Sequence, residues 1–385
     1  MECSDQKCGC GSSNEFVTLQ LKVPENGCDC QNVRDRSARD SKSYIVGSIQ
    51  TSAGNIPQIS TRLGWKDYLG AFRVRWGIRR NNYRVNPGLY AIGTPNERSD
   101  VLVTANYKLS FDTVRKNLEG LNVWLLVLDT KGINVWCSAG KGTFGTKELV
   151  NRIRLTSLDT IVQHKRIILP QLSAVGVAAH LVKESSGFTV VYGPVRASDT
   201  QSFVNAGYKA TKEMRLVHFD WDDRLRLVPN DIMYNLRYLM SLLVVISILS
   251  GINTHGYSLQ QALINSIPIA KIIAAGYFAG LVLTPLLLPY IPTQNFSFKG
   301  LIIGVVISAL LFLTHSLSGN VLVTLAEIFF LSGFSSFLAM NFTGASTFTS
   351  LAGVKKEMKI AVPIQIVSVV IAAILIVLNS TLSGR

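Results

Sequence analysis

Charged residues are distributed very unevenly along this chain, and this division is the strongest constraint on its fold. The 385 residues include 38 Lys and Arg and 24 Asp and Glu, yet only nine of these charged residues follow Leu236. Those nine are Arg237, Lys271, Lys299, Glu327, Lys355, Lys356, Glu357, Lys359 and Arg385. Long apolar stretches with almost no charge are typical of membrane-spanning helices. The sequence therefore predicts a soluble part followed by a membrane part.

The apolar part contains five segments of about 20 residues, the length that a helix needs to cross a bilayer. They lie near 236–254, 272–291, 299–317, 320–340 and 360–379. Basic residues precede the first segment and fall in the second and fourth loops, and cytoplasmic loops are enriched in such residues. We therefore expect a multi-pass protein of the cytoplasmic (inner) membrane, with the N-terminal domain in the cytoplasm and the C-terminus outside. Residues 1–30 lack the apolar region of a signal peptide.

The net charge of +14 is the next feature to explain. The apolar part contributes five of these charges, as positively charged cytoplasmic loops would. The rest is spread over the soluble part, with small clusters at Arg73 and Arg75 and at Arg79 and Arg80. Such a field would serve an anionic cofactor, an acidic protein partner or an anionic lipid surface. We do not expect a nucleic-acid partner.

The soluble part alternates between short apolar runs and helical patterns. The runs at 101–104, 123–128, 166–169 and 188–192 predict strands, and the segments 110–118, 146–155, 175–183 and 198–209 predict helices, the first capped by Ser110. This alternation predicts a Rossmann-like α/β domain with a parallel sheet, which binds ligands at the carboxyl ends of its strands. Three turn segments follow such ends: Thr104–Tyr107, Asn134–Thr146 and Gly193–Arg196.

Cys137 lies in the most distinctive of these turns. The run Asn134–Lys141 reads NVWCSAGK and leads into the glycine-rich sequence 140–145. A loop with small and aromatic neighbours would present one sulfur to a large flat ligand. A buried inert thiol is the ordinary alternative for a lone cysteine. We expect bulky residues at Gly142 and Gly145 to be poorly tolerated, because glycine allows close backbone approach and positive φ angles.

Two nucleotide-binding motifs are weaker matches to this turn. Residues 140–145 fit G-x-G-x-x-G, but the next strand ends in Leu169-Pro170-Gln171, without the acidic residue that binds a ribose. The distance from the strand 123–128 to Gly140 is also too long for a tight first turn. A P-loop is disfavoured because Val135 and Gly142 stand where that motif needs Gly and Ser or Thr.

The other cysteines lie near the N-terminus. Cys8 and Cys10 form one C-x-C pair and Cys28 and Cys30 form another, in a segment that also contains Cys3. This spacing differs from that of common zinc and ferredoxin sites. One interpretation is a flexible tail with incidental thiols. The other is a tail that captures a soft metal such as Hg(II) through its thiolates.

Several runs of the soluble part resemble a known family. They are Pro87–Tyr90, Val103–Tyr107, Leu126–Cys137 and Gly142–Thr146. The sequence here resembles the corrinoid-binding domain of the large subunit of corrinoid iron–sulfur proteins. With its five apolar segments, the whole chain resembles the membrane-bound corrinoid proteins of microbial mercury methylation. The resemblance does not extend to residues 1–60, and Ser138 stands where the family usually has Ala.

The resemblance implies a chemistry that agrees with these residues. A corrinoid bound without its own lower base would take the Cys137 sulfur as lower axial cobalt ligand, and the thiolate would favour transfer of methyl from methyl-Co(III) to Hg(II). Contacts to the corrinoid are expected from Thr104, Asn106, Tyr107, Asn134, Val135, Trp136, Cys137, Ser138, Ala139, Gly140, Lys141, Gly142, Thr143, Phe144, Gly145, Thr146, Gly193 and Pro194.

The resemblance also implies partners and a division into domains. We expect a ferredoxin-like iron–sulfur reductant and a folate-linked methyl donor. The predicted parts are a cysteine-containing tail at 1–45, a corrinoid-binding domain at 46–220, a basic linker at 221–235 and five transmembrane helices at 236–380. Two other functions stay open: a corrinoid methyl carrier of acetyl-CoA metabolism, and a non-catalytic membrane sensor or transporter.

Overall fold

The computed structural model describes residues 41–253, 256–345 and 351–383. An N-terminal domain built on a mixed sheet is followed by a helical region with five long apolar helices. This agrees with the predicted order of an α/β part and an all-α part.

Seven strands form the main sheet: β1 Ile45–Thr51, β2 Gly54–Ile59, β3 Gly88–Ile92, β4 Val101–Ala105, β5 Val123–Leu128, β6 Arg166–Leu169 and β7 Thr189–Tyr192. Their order in the sheet is β1-β2-β3-β5-β4-β6-β7. Neighbouring strands are parallel except at two junctions, where β1 pairs with β2 and β3 pairs with β5 in antiparallel fashion.

The four predicted strands are present and run parallel to one another, but the complete sheet is mixed and not parallel throughout. Strands β4 to β7 form a parallel half, and β5 and β6 have the predicted bounds. Every residue of β4 and β5 is buried, as expected of strands covered on both faces. The two antiparallel junctions involve strands β1 to β3, which were not predicted from the sequence.

Helices cover both faces of the sheet. They are α1 Trp65–Arg75, α2 Lys108–Lys116, α3 Val135–Gly140, α4 Thr146–Leu155, α5 Leu158–Ile161, α6 Ala179–Ser186, α7 Thr200–Asn205 and α8 Lys212–Arg215. Helix α4 has the predicted bounds. Helix α2 begins two residues before Ser110, and Tyr107 occupies its N-cap position, so the predicted Ser110 cap is wrong. The predicted helices at 175–183 and 198–209 are shorter or shifted, and each is preceded by a 3-10 turn.

Two hydrophobic cores lie on opposite faces of the sheet. Leu126 and Leu128 of β5 face one core, together with Phe144 and Leu149. Leu125 and Val127 of the same strand face the other core, together with Phe111. Alternate residues of a strand point to opposite faces, so the continuous apolar run of β5 fills both cores at once.

The helical region contains five helices that are long and apolar enough to cross a membrane. They span Trp221–Leu249, Leu259–Leu286, Phe296–Leu313, Val321–Thr343 and Ala352–Leu382. The helical elements of this region are α9 Trp221–Leu249, α10 Leu259–Phe278, α11 Thr284–Leu286, α12 Phe296–Leu313, α13 Val321–Met340 and α14 Leu351–Ser383, with a π-helical turn at Ala279–Leu283. Two short antiparallel strands, β8 Ile252–Asn253 and β9 Gly256–Tyr257, lie between α9 and α10.

Helix α9 joins the two parts of the chain without a break. The segment 221–235, expected to be a linker, is the N-terminal half of this helix. Its Asn230 accepts a hydrogen bond of 2.9 Å from Arg80 Nη1 in the sheet domain. Within the helical region, α12 and α13 pack closely enough for Ser335 Oγ to donate to the carbonyl of Gly300 at 2.8 Å. Small residues at 332–336 allow this approach.

Candidate functional site

The predicted site residues lie at the carboxyl ends of the parallel strands. Strand β4 leads into Asn106 and Tyr107, β5 leads into the loop 129–134 and helix α3, and β7 leads into Gly193 and Pro194. Since β4 lies between β5 and β6, and β6 pairs with β7, these turns share one edge of the sheet. This edge is where α/β sheets bind ligands.

Asn106 connects the first two of these turns. Its Oδ1 accepts hydrogen bonds from Thr130 N (3.1 Å), Thr130 Oγ1 (2.9 Å) and Gly132 N (3.0 Å), and its Nδ2 donates to Asp129 Oδ1 (3.1 Å). The side chain is only 1% exposed. The amide of Asn106 is thus engaged with the loop after β5, and it fixes the path by which that loop reaches Cys137.

Cys137 lies in a short helix and not in the expected loop. Helix α3 begins after Asn134, whose Oδ1 accepts a hydrogen bond from Cys137 N at 2.9 Å. Such a cap satisfies one of the free N–H groups of a first helical turn. The next residue, Ser138, is buried and donates to the carbonyl of Asn134 at 2.6 Å. Cys137 itself is exposed and has no disulfide partner in the described residues.

The glycine-rich turn follows α3 and is anchored by a buried aromatic side chain. Phe144 is fully buried, while Gly140, Lys141 and Gly142 are exposed. Gly142 has φ +79°, and a Cβ there would meet no atom within 4 Å. A larger residue would therefore be strained by its backbone angle and not by crowding.

A second glycine supports this turn from a distance in the sequence. A Cβ on Gly176 would lie 2.3 Å from the carbonyl oxygen of Phe144 and 2.9 Å from that of Ala139. A Cβ on Gly145 would lie 2.8 Å from the carbonyl oxygen of Gly142. The backbone segments around α3 thus pack directly on each other, which leaves little freedom in the position of the Cys137 helix.

The remaining predicted residues divide into supporting and exposed positions. The Thr146 hydroxyl accepts from Ala178 N at 2.9 Å, and the Thr143 hydroxyl donates to the Ser138 carbonyl at 3.4 Å. Gly193 N donates to the carbonyl of Leu169 at 2.8 Å. Val135 is partly buried, Ala139 and Pro194 are buried, and Trp136 is 42% exposed beside Cys137. Exposed Trp136 and Lys141 are therefore free to contact a ligand.

Two buried hydroxyl groups near the end of β4 have no hydrogen-bond partner among the described residues. They belong to Thr104, which is fully buried, and Tyr107, which is 5% exposed. Burial raises the pKa of Tyr107, Arg80 and Arg75 lower it, and Cys137 raises it, with a raised pKa as the net result. Tyr107 is therefore protonated at neutral pH and keeps a hydrogen to donate.

A segment that packs against this edge was not predicted from the sequence. Arg84 forms an isolated antiparallel bridge with Tyr107, and a Cβ on Gly132 would lie 3.0 Å from the carbonyl oxygen of Asn81. Residues 79–84 thus cover one side of the loop that leads to Cys137. Arg79 and Arg80 were noticed as a charge cluster, but no local pattern connected them with the cysteine.

A buried network of four charges was also missed. Lys108 Nζ lies 2.7 Å from Asp67 Oδ1 and 2.7 Å from Asp112 Oδ2, and Arg115 contacts the same two carboxylates at 2.8 Å. The spacing of Lys108, Asp112 and Arg115 on one face of a helix was visible in the sequence. Asp67 joins them only in the folded chain, where it ties α1 to α2 next to Tyr107.

The protein offers one exposed sulfur donor at this site, which fits a metal cofactor that brings its own equatorial ligands. Within the ranges that the structure describes, no group of three or more His, Cys, Asp and Glu residues could hold a metal ion. A corrin ring supplies four nitrogens to cobalt, so the protein needs to add only one axial donor, and a single exposed sulfur suits a soft metal centre. The unpartnered hydroxyls of Thr104 and Tyr107 and the open space at Gly142 are compatible with such a group.

Comparison with known proteins identifies a relation for this part of the chain. Residues 77–204 match the family of the CO dehydrogenase/acetyl-CoA synthase delta subunit. The matched region runs from the end of α1 through α7 and includes every predicted cofactor contact. It ends before α9 and the apolar helices.

Curated relatives point in the same direction. The acetyl-CoA decarbonylase/synthase complex subunit gamma of Methanocaldococcus jannaschii is 36% identical over 139 residues, which are 35% of this chain and 28% of that protein. The corrinoid/iron-sulfur protein large subunit of Moorella thermoacetica is 33% identical over 125 residues, which are 32% of this chain and 28% of that protein. The chain thus spans about a quarter of the length of these relatives. The predicted relation to corrinoid proteins is confirmed, and the archaeal relative is a subunit of an acetyl-CoA decarbonylase/synthase complex.

The four paired N-terminal cysteines cannot be placed on this site. Cys8, Cys10, Cys28 and Cys30 lie outside the described residues. Their role as Hg(II) ligands stays a prediction from spacing alone.

Proposed function

We propose that this chain is a corrinoid-dependent methyltransferase in which the Cys137 thiolate is the lower axial ligand of cobalt. The observation that supports it most directly is the exposed sulfur on α3, at the carboxyl edge of a sheet whose sequence is related to corrinoid proteins. Helix α3 is held by the Asn134 cap and by the close packing around Gly176. A rigid first turn would keep the sulfur in a constant position relative to a bound ring.

The corrinoid, when bound, supplies a cobalt-bound methyl group for transfer. The chain's residues would bind and orient it: Cys137 would donate electron density to the metal, exposed Trp136 and Lys141 would contact the ring and its side chains, and the open turn at Gly142 would leave room for them. Tyr107 and Thr104 would donate hydrogen bonds. No lower base of the cofactor is needed where the thiolate occupies the axial position.

For the methyl acceptor we propose Hg(II), with methylmercury as product. A thiolate donates electrons strongly, which favours departure of the methyl group with its bonding electron pair toward a soft cation. The NVWCSAGK segment and the five apolar helices support this choice, because the corrinoid proteins of mercury methylation share both features. A ferredoxin-like reductant, a folate-linked methyl donor and a cytoplasmic position of residues 46–220 at the inner membrane belong to this proposal.

A second candidate function is favoured by the comparisons. The relatives are named as subunits of acetyl-CoA decarbonylase/synthase complexes and as a corrinoid/iron-sulfur protein. A methyl carrier for acetyl-CoA metabolism would use the same cofactor and the same half of the sheet. It gives no reason for the five apolar helices, which the matched region does not include.

The deciding experiment compares Cys137→Ala with the parent chain, both purified without oxygen in detergent. We expect the visible spectrum of the parent chain to show a bound corrinoid with a sulfur ligand, and the variant to lose that spectrum and the methylation of Hg(II). Cys137→His should retain corrinoid and lose most of the transfer rate. Full methylation by Cys137→Ala would refute the axial role. Methyl transfer into acetyl-CoA without methylmercury formation would support the second candidate.

A further inference from the structure

Five arginines lie between Asp67 and Glu97 without any acidic residue among them. They are Arg73, Arg75, Arg79, Arg80 and Arg84. The fold brings the last part of this segment against the loop that leads to Cys137, as the contacts of Asn81 and Arg84 with Gly132 show. A positive field therefore borders the candidate site.

Arg75 is the most unusual member of this group. It is partly buried at the end of α1, and none of the described residues forms a hydrogen bond or an ion pair with its guanidinium. Burial lowers the pKa of Arg75 and the neighbouring Arg226 lowers it further, while Tyr107, Asp222 and Tyr83 raise it, with a lowered pKa as the net result. Arg226 is exposed and forms an ion pair with Asp222, so the acidic group near Arg75 is already engaged with another arginine. An arginine remains charged at neutral pH under these conditions.

Arg80 and Tyr107 complete the cluster. Arg80 uses Nη1 to donate to Asn230 of α9, which holds its side chain in place and leaves other N–H groups free. Tyr107 interacts electrostatically with Arg75, Arg80 and Cys137, and its buried hydroxyl lacks a partner among the residues described. Two guanidinium groups thus interact electrostatically with one buried, unpartnered O–H, beside the segment that packs on the loop leading to Cys137.

Corrinoid chemistry indicates which anion reaches this point. In complete corrinoids the lower base is joined to the ring through a phosphodiester, and the tail leaves from the lower face. When a thiolate replaces the base at cobalt, the tail remains attached and its negative charge stays near the lower ligand. Arginine pairs are well suited to phosphodiester oxygens, because their N–H groups form two parallel charge-assisted hydrogen bonds.

We propose that Arg75, Arg80 and the Tyr107 hydroxyl bind the phosphodiester of the corrinoid's nucleotide tail. This inference rests on the proposed function, and it specifies the kind of corrinoid that the site prefers. The site selects complete corrinoids over cobinamide, which has the same ring and metal but lacks the nucleotide and its phosphodiester.

The test measures equilibrium binding of cobalamin and of cobinamide to the full chain in uncharged detergent, by absorbance. Arg75→Gln and Arg80→Gln should each weaken cobalamin binding about tenfold or more, the usual loss for one charge-assisted hydrogen bond. Cobinamide binding should change by less than about twofold, which also reports that the variant is folded. The matched control is Arg73→Gln, because Arg73 is exposed on the same helix.

The outcomes separate the inference from the function on which it rests. Equal losses for both corrinoids, or no loss for either, would overturn the phosphodiester site while leaving corrinoid binding intact. Failure of the parent chain to bind either corrinoid would overturn the proposed function and this inference with it. The same phosphodiester chemistry occurs in lipid headgroups. If the variants lost only co-purified phosphatidylglycerol, with cobalamin affinity unchanged, the cluster would be a lipid site and the inference would be wrong.

Discussion

Asn106→Ala should detach the loop that presents Cys137 while leaving the sheet in place. The substitution removes the acceptor of three hydrogen bonds and the donor of a fourth. The two backbone N–H groups of Thr130 and Gly132 are buried, and each costs about 1–3 kcal/mol when left without a partner. Water that enters the space of the lost amide can bind these N–H groups and so reduces this cost in free energy. We therefore expect a local destabilisation of about 2–4 kcal/mol.

Hydrogen exchange followed by mass spectrometry measures this effect where it occurs. Peptides covering 129–141 should exchange about 30- to 1,000-fold faster, since 1.4 kcal/mol corresponds to a factor of ten. Peptides from β5 should change much less. Corrinoid affinity should fall together with the protection of the loop, because binding must then reorder it.

Two further substitutions serve as an intermediate case and as a control for Asn106→Ala. Asn106→Asp keeps the three acceptor contacts but sets a carboxylate against Asp129, so an intermediate increase in exchange is expected. Asn117→Ala removes only a surface hydrogen bond to the Thr113 carbonyl, and it should stay within about 0.5 kcal/mol of the parent. Unchanged exchange of the 129–141 peptides in Asn106→Ala would refute the idea that Asn106 holds this loop.

Four other outcomes are expected. Gly176→Ala should lower stability by about 1–3 kcal/mol in thermal unfolding, because its Cβ would lie 2.3 Å from a carbonyl oxygen. Lys108→Met should cost about 3–5 kcal/mol in denaturant unfolding, because it leaves two buried carboxylates short of a partner. Burial raises the pKa of Asp67, but hydrogen bonds and charges from Lys108 and Arg115 lower it below its usual value. Its stabilisation should be present above about pH 4 and be lost in melting curves below that. Deletion of residues 1–40 should raise the Hg(II) concentration needed for methylation at unchanged maximal rate; identical rates at all concentrations would end the capture hypothesis.

The parts of the fold that the sequence predicted well are those in which one local pattern decides the structure. Strand β5 was placed with its observed bounds because a strand buried on both faces needs a continuous apolar run. Strands β1 and β2 carry exposed and mixed residues at the edge of the sheet. Their pairing comes from neighbours in space, so no comparable run marked them.

The site shows the same division between local and distant causes. Cys137 was identified from its neighbours in sequence, but its helix was taken for a loop because six residues alone do not form a stable helix. The Asn134 cap and the packing of Ser138 and Ala139 supply what propensity does not. Asn81 and Arg84 approach the site only because the chain before β3 folds against the loop after β5, and no local pattern in either segment predicts that contact.

The length of α9 relates the candidate site to the membrane. Asn230, which binds Arg80, is followed by 19 more helical residues to Leu249. At 1.5 Å per residue this part is about 28 Å long, close to the roughly 30 Å of a hydrocarbon core. If α9 crosses the membrane with this part, Asn230 and the Arg80 side chain that binds it lie at the membrane surface. Under the proposed function, a reductant and a methyl donor would then approach the corrinoid from the side that α9 and the bilayer leave open.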